Sequence, residues 1–428
     1  MSYSEWKTYS LKDICTDISY GYTASAKEEK VGPKFLRITD LRNEFIDWES
    51  VPYCSINEKD YKKYKLEIGD LCIARTGATT GINTVIEEDV DAVFASYLVR
   101  FKLNKEIVDP TFIKYIFKSN MWYGYVNSII SGSAQPGANA QQMSNFKMSI
   151  PDLDEQKKIA SVLSVLDKKI VLNNKINKTL EEMAQAIFKR WFVDFEFPNE
   201  NGKPYKSSGG KFVESESGMI PEGWKEGTLD NLVVINTASV DPKENPEILY
   251  EHYSIPAFDE QKYPKFEYGR EIKSNKYLVR PNSFLVSKLN PTTKRVWDPL
   301  CITENAISST EFINYLPKDI SYQSYLYCML NSERFSEHLI KHATGSTGSR
   351  QRVKPAETLT FNVILPDTET LKKFDNLIRP IREKLKINQI NSAVLKDVRD
   401  ILLPKLMSGE IRVPDAEREV EECLQKSN

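Results

Sequence analysis

This 428-residue chain repeats itself at half its length, and no other feature narrows its possible folds as much. Trp6, Lys7, Leu11 and Ile14 near the start correspond to Trp224, Lys225, Leu229 and Leu232, 218 residues on. Gly132 and Ser133 fall opposite Gly345 and Ser346, 213 apart, and Ile150-Pro151-Asp152 falls opposite Leu365-Pro366-Asp367, 215 apart. Half of 428 is 214, so one unit has been duplicated, with loop-sized insertions shifting the offset. Pseudo-two-fold symmetry within one chain follows.

Each repeat has a globular part, residues 1–151 and 224–366, followed by a long helical pattern, 152–197 and 367–412. The globular parts carry short alternating or apolar runs such as FASYLVRFKL and NSFLVSKL between Gly, Pro and Asn turn signals, which predicts strand-rich α+β domains. Residues 198–223 carry Pro, Gly and Ser with little apolar content and read as a linker, and 413–428 read as an acidic tail.

The first helix has a start signal: Asp152 can cap, with Glu155 three residues later, directly behind Pro151. An alternating four-three spacing then runs through Ile159, Leu163, Leu166, Ile170, Asn173, Asn177, Leu180, Ala184, Ile187 and Trp191. This is a coiled-coil seam. Moving 215 residues on gives Phe374, Ile378, Ile381, Leu385, Asn388, Ser392, Leu395, Arg399, Leu402 and Leu406. Both seams turn polar near the middle, at Asn173 with Asn177 and at Asn388 with Ser392. Buried polar residues there cost stability but fix register, and antiparallel pairing would bring the two layers together. About 40 residues at 1.5 Å rise make a rod of roughly 60 Å, long enough to hold two domains apart.

Composition argues against catalysis. Only three histidines occur, and the six cysteines, at 15, 54, 72, 301, 328 and 423, include no CxxC pair, so metal sites and disulfide frameworks are unsupported. GATTGINT at 77–84 lacks the lysine of a phosphate-binding loop, and Asn290-Pro291-Thr292-Thr293 lacks the second Pro and the aromatic ring of an amino-methyltransferase signature. Asp152, Glu155 and Lys157 spell the letters of a nuclease motif but share one helical turn, so capping accounts for them. There is no leader-like N-terminus and no run of ~18 apolar residues, which makes the cytoplasm the expected location and gives no membrane partner.

What remains is recognition, and with 58 basic against 60 acidic residues any nucleic-acid contact must come from local patches. In the first half, Arg75, Thr76, Thr79 and Thr80 follow an apolar strand; Arg can read guanine bidentately and hydroxyls suit phosphates. Between Met121 and Pro151 the only charged residue is Lys147, yet Ser131, Ser133, Gln135, Asn139, Gln141 and Gln142 crowd around Pro136-Gly137, and amide side chains suit base edges. The second half is more electrostatic. Seven basic residues from Arg270 to Arg295, among them Lys273, Lys276, Arg280, Lys288, Lys294 and Arg295, meet one acid, Glu271; Asn290 and Thr292 lie between them. Residues 341–354 add Lys341, Arg350, Arg352 and Lys354 beside Ser346 and Thr347, without an acid. Both stretches predict a phosphate-facing surface.

The repeated order of globular region, Gly-Ser loop, Ile/Leu-Pro-Asp step and long helix resembles the specificity subunit of Type I restriction-modification enzymes. GDLCIARTGATTG, IPDLDEQKKIASVLSVLDKKI, IFKRWFVDFEFP and SGMIPEGWKEG carry the resemblance over nearly the whole chain. It implies an α+β fold with two target-recognition domains in a pseudo-two-fold repeat, separated by two long antiparallel coiled-coil helices. Each domain would read one half of a split double-stranded DNA sequence. The resemblance also implies that the chain has no catalytic residue and binds no cofactor itself. Its helices would dock two methylation subunits, and restriction subunits would join; S-adenosylmethionine, ATP and magnesium would sit on those partners. SKLNPTTKRVW replaces ARTGATTGINT in the second half and loses both glycines, so the tip there is expected to be shaped differently. The rival reading is an assembly scaffold that uses its helical pair for protein contacts and touches no DNA.

Overall fold

The first repeat begins with β1 (Lys7–Ser10) and β2 (Cys15–Tyr20), continues through β3 (Asp70–Ala74), β4 (Asn83–Val85) and β5 (Leu98–Leu103), and closes with β6 (Lys147–Ile150). Strands β2, β5, β3 and β4 form an antiparallel sheet in that spatial order, while β1 pairs with β6 so that Lys7 lies opposite Ile150. Leu71 to Ala74 of β3 are buried, as their unbroken apolar run requires, and the strand's first residue, Asp70, is buried as well. Leu71 and Ile73 enter the core that contains α1 (Pro110–Lys118), whereas Cys72 and Ala74 enter a second cluster with Leu36, Phe94 and Leu98. Helix α1 starts where Asp109 accepts a hydrogen bond from the Phe112 N–H and Pro110 occupies the first turn. Two further helices, α2 (Asn120–Ile130) and α3 (Ala140–Ser144), lead back to β6.

This computed structural model describes residues 6–41, 45–130, 137–216, 218–345 and 351–426. The chain divides into two units, Met1–Val171 with Val394–Asn428, and Leu172–Ala393. Each unit therefore contains a globular part and portions of two helices, α4 (Leu153–Phe192) and a second one described below.

In the other unit, β7 (Lys225–Thr228), β8 (Val233–Ile235), β9 (Phe284–Ser287), β10 (Val296–Trp297), β11 (Phe312–Pro317) and β12 (Asn362–Leu365) reproduce the same plan. The sheet order is β8-β11-β9-β10, antiparallel throughout, and β7 pairs with β12 so that Lys225 lies opposite Leu365. Helices α5 (Gln323–Leu330) and α6 (Glu333–Lys341) stand where α1 and α2 stand in the first. The second unit differs by a five-stranded mixed sheet built from 239–240, 276–278, 306–308, 249–253 and 265–268. In the first, a parallel pair, Lys34–Leu36 with Ala92–Phe94, lies in the corresponding stretch, with isolated bridges such as Lys27 to Tyr53 and Lys65 to Val93 around it.

Helix α4 begins with the Asp152 carboxylate accepting from the Glu155 N–H at 2.9 Å, and α7 (Thr368–Ser408) begins with Asp367 doing the same for Thr370. Within the first unit, Leu163, Leu166 and Ile170 of α4 share one core with Leu395, Leu402 and Leu406 of α7. Within the second, Ala184, Phe188 and Trp191 share a core with Phe374, Ile378 and Leu385, and the half-buried Leu180 and Ile381 pack against it. The polar layer lies in the second unit: Asn173 donates to Ser392 at 3.1 Å and Asn388 donates to Asn177 at 2.8 Å. Partner numbers fall on one helix as they rise on the other, so the two run antiparallel.

Two segments carry more structure than their composition indicates. In the linker, residues 198–223, Phe212–Ser215 and Gly218–Pro221 form a hairpin, and the Phe197 ring stacks between Tyr205 (4.5 Å) and Trp224 (4.7 Å). Few apolar residues lie there, but two are aromatic, Tyr205 and Phe212, and with Phe197 and Trp224 at the segment's ends they bury enough area to order it. The acidic tail is likewise structured. Helix α8 (Val413–Lys426) buries Ala416, Val420 and Cys423 in the core of the first unit. Its acids lie outside that apolar stripe, which average composition conceals.

Candidate nucleic-acid interface

In the first unit the two loops singled out from the sequence are joined. Thr76 and Gly137 form an isolated antiparallel β-bridge, with the Ala138 N–H donating to the Arg75 carbonyl at 3.0 Å. The turn between β3 and β4 reverses at Gly77, φ 70°, and Gly81, φ 89°. A side chain at Gly81 would meet Val126 at 2.8 Å, so this turn rests on α2. Trp122 of α2 also donates from its indole to the Gly81 carbonyl at 2.7 Å.

Arg75 is held at one end only. Its Nε donates to the Ser96 carbonyl at 3.1 Å, and its guanidinium carbon lies 5.0 Å from the centre of the Tyr20 ring. Among the described residues its two terminal nitrogens make no hydrogen bond. A guanidinium stacked and pinned at Nε loses little entropy when those nitrogens take a planar acceptor pair. The exposed Tyr20 accepts a hydrogen bond from the Ala140 N–H, tying this platform to the start of α3. Sequence reading did not single out Tyr20 or Ser96. The signal was SYGY at 19–22, where a Cβ at Gly21 would lie 2.3 Å from the Ala95 carbonyl oxygen, a backbone approach that only glycine allows.

The hydroxyl and amide candidates divide. Thr80 is buried and donates to the Gly77 carbonyl at 2.7 Å, and Thr79 donates to the Thr76 carbonyl, so both hold the turn together instead of facing outward. Asn139 caps α3 by accepting from the Gln142 N–H. Gln141 is exposed in the first turn of α3, and Thr76 supplies the bridge. Ser131, Ser133 and Gln135 lie outside the described residues, as do Ser346, Thr347 and Arg350.

The second unit joins its loops at the equivalent place. Leu289 and Arg352 form the bridge, the Asn290 N–H donates to the Gln351 carbonyl at 2.8 Å, and the Val353 N–H donates to the Lys288 carbonyl at 3.0 Å. Although both glycines are lost, Asn290 itself takes φ 50°, and Thr292 donates to its side-chain oxygen at 2.8 Å. The turn geometry survives because asparagine tolerates the left-handed region.

Three of the basic residues expected at this surface are bound to acids of the same unit. Arg295 binds Asp259 through two hydrogen bonds of 2.6 and 2.8 Å, and Arg352 binds Glu311 through two of 3.1 and 3.2 Å. Arg270 pairs with Glu247 at 2.7 Å, Lys276 is buried against Ser274, and Lys294 donates to the Asn331 carbonyl. The neutralising acids Asp259, Glu247 and Glu311 lie outside the counted basic stretches, so a linear charge tally misses them. Lys273, Arg280, Lys341 and Lys354 are exposed and Lys288 is half-buried.

Among the described residues, no cluster of His, Cys, Asp and Glu could hold a metal ion, and no helix is long and apolar enough to cross a membrane. All six cysteines are free thiols.

Residues 3–182 match the model of the Type I restriction modification DNA specificity domain. The MjaIX specificity subunit of Methanocaldococcus jannaschii, a Type I restriction enzyme component, is 27% identical over 446 residues, spanning 96% of this chain and 94% of its own. The HindI specificity subunit of Haemophilus influenzae is 27% identical over 478 residues, spanning 95% of this chain and 100% of its own. Over nearly its whole length this chain is similar to specificity subunits of Type I restriction-modification systems. The crystal structure of the S subunit from M. genitalium shares its fold, with a TM-score of 0.54 at 12% identity over 95% of this chain and 97% of that one. The specificity subunit is the DNA-recognition, non-catalytic part of a Type I complex.

Proposed function

We propose that this specificity subunit reads a bipartite target in double-stranded DNA, one half-site per unit, and presents it to two docked methylation subunits. Residues 1–151 and 224–366 serve as target-recognition domains, and 152–197 and 367–412 as the helices that carry them. Restriction subunits complete the cytoplasmic complex; S-adenosylmethionine, ATP and magnesium act on the partners.

One observation carries this reading. Each unit zips its two candidate loops together by a single β-bridge at a repeat-equivalent position, Thr76 with Gly137 and Leu289 with Arg352. Two loops with independent sequences are thereby fixed as one edge, able to follow a groove while differing in side chains. In the first unit that edge carries Arg75, stacked on Tyr20 and pinned through Nε, the arrangement that suits guanine O6 and N7.

Mapping methylated adenines genome-wide, with and without the gene, tests the proposal. The expected result is loss on deletion of one split motif of two short blocks at fixed spacing. Loss of an uninterrupted motif, or of none, rejects it. Copurification of a methyltransferase with a chain that leaves DNA unprotected in footprinting would favour the scaffold reading.

A further inference from the structure

The two helices present opposite charges to their globular domains at the same repeat position. Asp167 of α4 follows the seam residue Leu166; 215 residues on, Arg382 of α7 follows the seam residue Ile381. Both side chains are almost fully buried. In the first unit, Asp167 binds Lys114 of α1 at 2.9 Å, accepts from the Tyr115 hydroxyl at 2.8 Å and binds Arg399 of α7 at 2.7 Å. Glu87, beyond β4, holds the other side of Lys114 at 2.9 Å. In the second unit, Arg382 binds Asp298, beyond β10, at 2.7 Å and lies 5.5 Å from the Tyr327 ring of α5, while Lys386 takes the other Asp298 oxygen at 2.7 Å. Tyr327 occupies the place in α5 that Lys114 occupies in α1, and Ala184 falls opposite Arg382 as Arg399 falls opposite Asp167. A helix-borne anion facing a domain cation has become a helix-borne cation facing a domain anion.

We propose that this single helix position decides which domain each seat accepts. Two domains with the same sheet order, made in one chain, can each fit the other's seat in shape, so shape alone does not keep them apart. Charge does. The second domain on the first seat would bring Asp298 towards buried Asp167, and the first domain on the second seat would bring Lys114 towards buried Arg382 and Lys386. A like pair in a desolvated seat is penalised far more than an opposite pair is rewarded, so such residues act mainly by excluding the wrong partner. Asp167 and Arg382 are thus positioning residues that touch no DNA. The inference concerns folding alone and does not depend on how either domain reads bases.

The decisive test is a reversal of sign. In the natural full-length chain, the D167R/R399A pair gives the first seat the second seat's chemistry and should lower the melting temperature of the first unit by roughly 5 to 10 °C. In a full-length chain with residues 224–365 copied into the place of 6–150, the same two substitutions should instead raise it by a similar amount. Equal signs in both backgrounds overturn the proposal. Should the copied-domain chain fail to fold with either seat, R382E in the natural chain decides. It should expose the amides of α5 to hydrogen exchange, with protection recovered in R382E/D298K/K386Q, where the third change removes the second cation beside position 298. Failure of the reversed pair to restore protection also overturns the proposal.

Discussion

The reading loops of the two units share a backbone and differ in chemistry. At equivalent tips the chain enters the left-handed region, through Gly77 in one and Asn290 in the other, and in both a β-bridge to the second loop follows. Onto that shared frame the first unit sets an almost uncharged loop with one half-tethered arginine, whereas the second sets basic residues already bound to acids of its own domain. Duplication has preserved the geometry that holds two loops together. The side chains have diverged, and on the proposed reading this is where two half-sites of different sequence would be distinguished.

The largest effect that would sharpen this comparison lies beneath the loops. Asp167→Ala would remove the one buried anion that Lys114 and Arg399 share, leaving them the more exposed Glu87 and Asp400, at a cost of ~3 to 5 kcal/mol to the first unit. A urea transition resolved by probes in each unit should show the first unit shifting while the second stays in place. The pH dependence has a definite sign. Burial alone would raise the Asp167 carboxyl, but Lys114, Lys118 and Arg399 hold it down at about 2, below its ordinary 3.8. Its contribution is therefore complete above pH ~4 and is lost as pH falls through 2. In Asp167→Asn this acid limb should flatten; an unchanged acid limb would place the titration elsewhere.

Next in size is the arginine of the first unit. Arg75→Ala should cost ~1 to 3 kcal/mol on the cognate site and relax a single base position, measured by competition binding across a panel of one-base variants. Equal weakening on every sequence would make Arg75 a phosphate contact. Tyr20→Ala should lose part of the same discrimination, because the guanidinium would no longer be stacked. Smaller still is the effect of importing the second unit's solution into the first: Gly77→Asn should cost less than ~1 kcal/mol, since the site is open and asparagine tolerates its φ. Gly77→Val should cost more.

Much of this was legible from residue order. The duplication, the antiparallel helix pair and the α+β character follow from seams and turn signals whose spacing is local. The exact pairs that cross the helices, Asn173 with Ser392 and Asn177 with Asn388, could be foreseen as a layer because both seams interrupt at the same heptad. The charge network could not. Asp167 lies just off the seam, and its partners Lys114 and Tyr115 lie about 50 residues away on a helix whose amphipathic pattern looks ordinary. The ordering of 198–223 was hidden for another reason: a few aromatics stacked on Trp224 outweigh many Gly and Ser residues, and average composition gives them no weight. The pairing of three basic residues of the second unit was hidden as well, because acids such as Asp259 enter through tertiary packing.

That pairing makes the smallest expected effect the most discriminating one. Salt dependence of DNA binding counts the phosphates a protein neutralises, with a slope of about 0.9 per contact on duplex DNA. Arg295 has an 11% exposed side chain and both of its hydrogen-bonded nitrogens on Asp259, so contacting a phosphate would require breaking that pair. Arg295→Gln should leave the slope unchanged. Lys288 stands beside the Leu289 bridge at the loop edge, and Lys288→Gln should lower the slope by about one if the edge lies along the backbone. A reversed outcome would mean that the Arg295–Asp259 pair opens on DNA. The second unit would then differ from the first in kind: it would release its charges on contact, where the first holds a guanidinium ready.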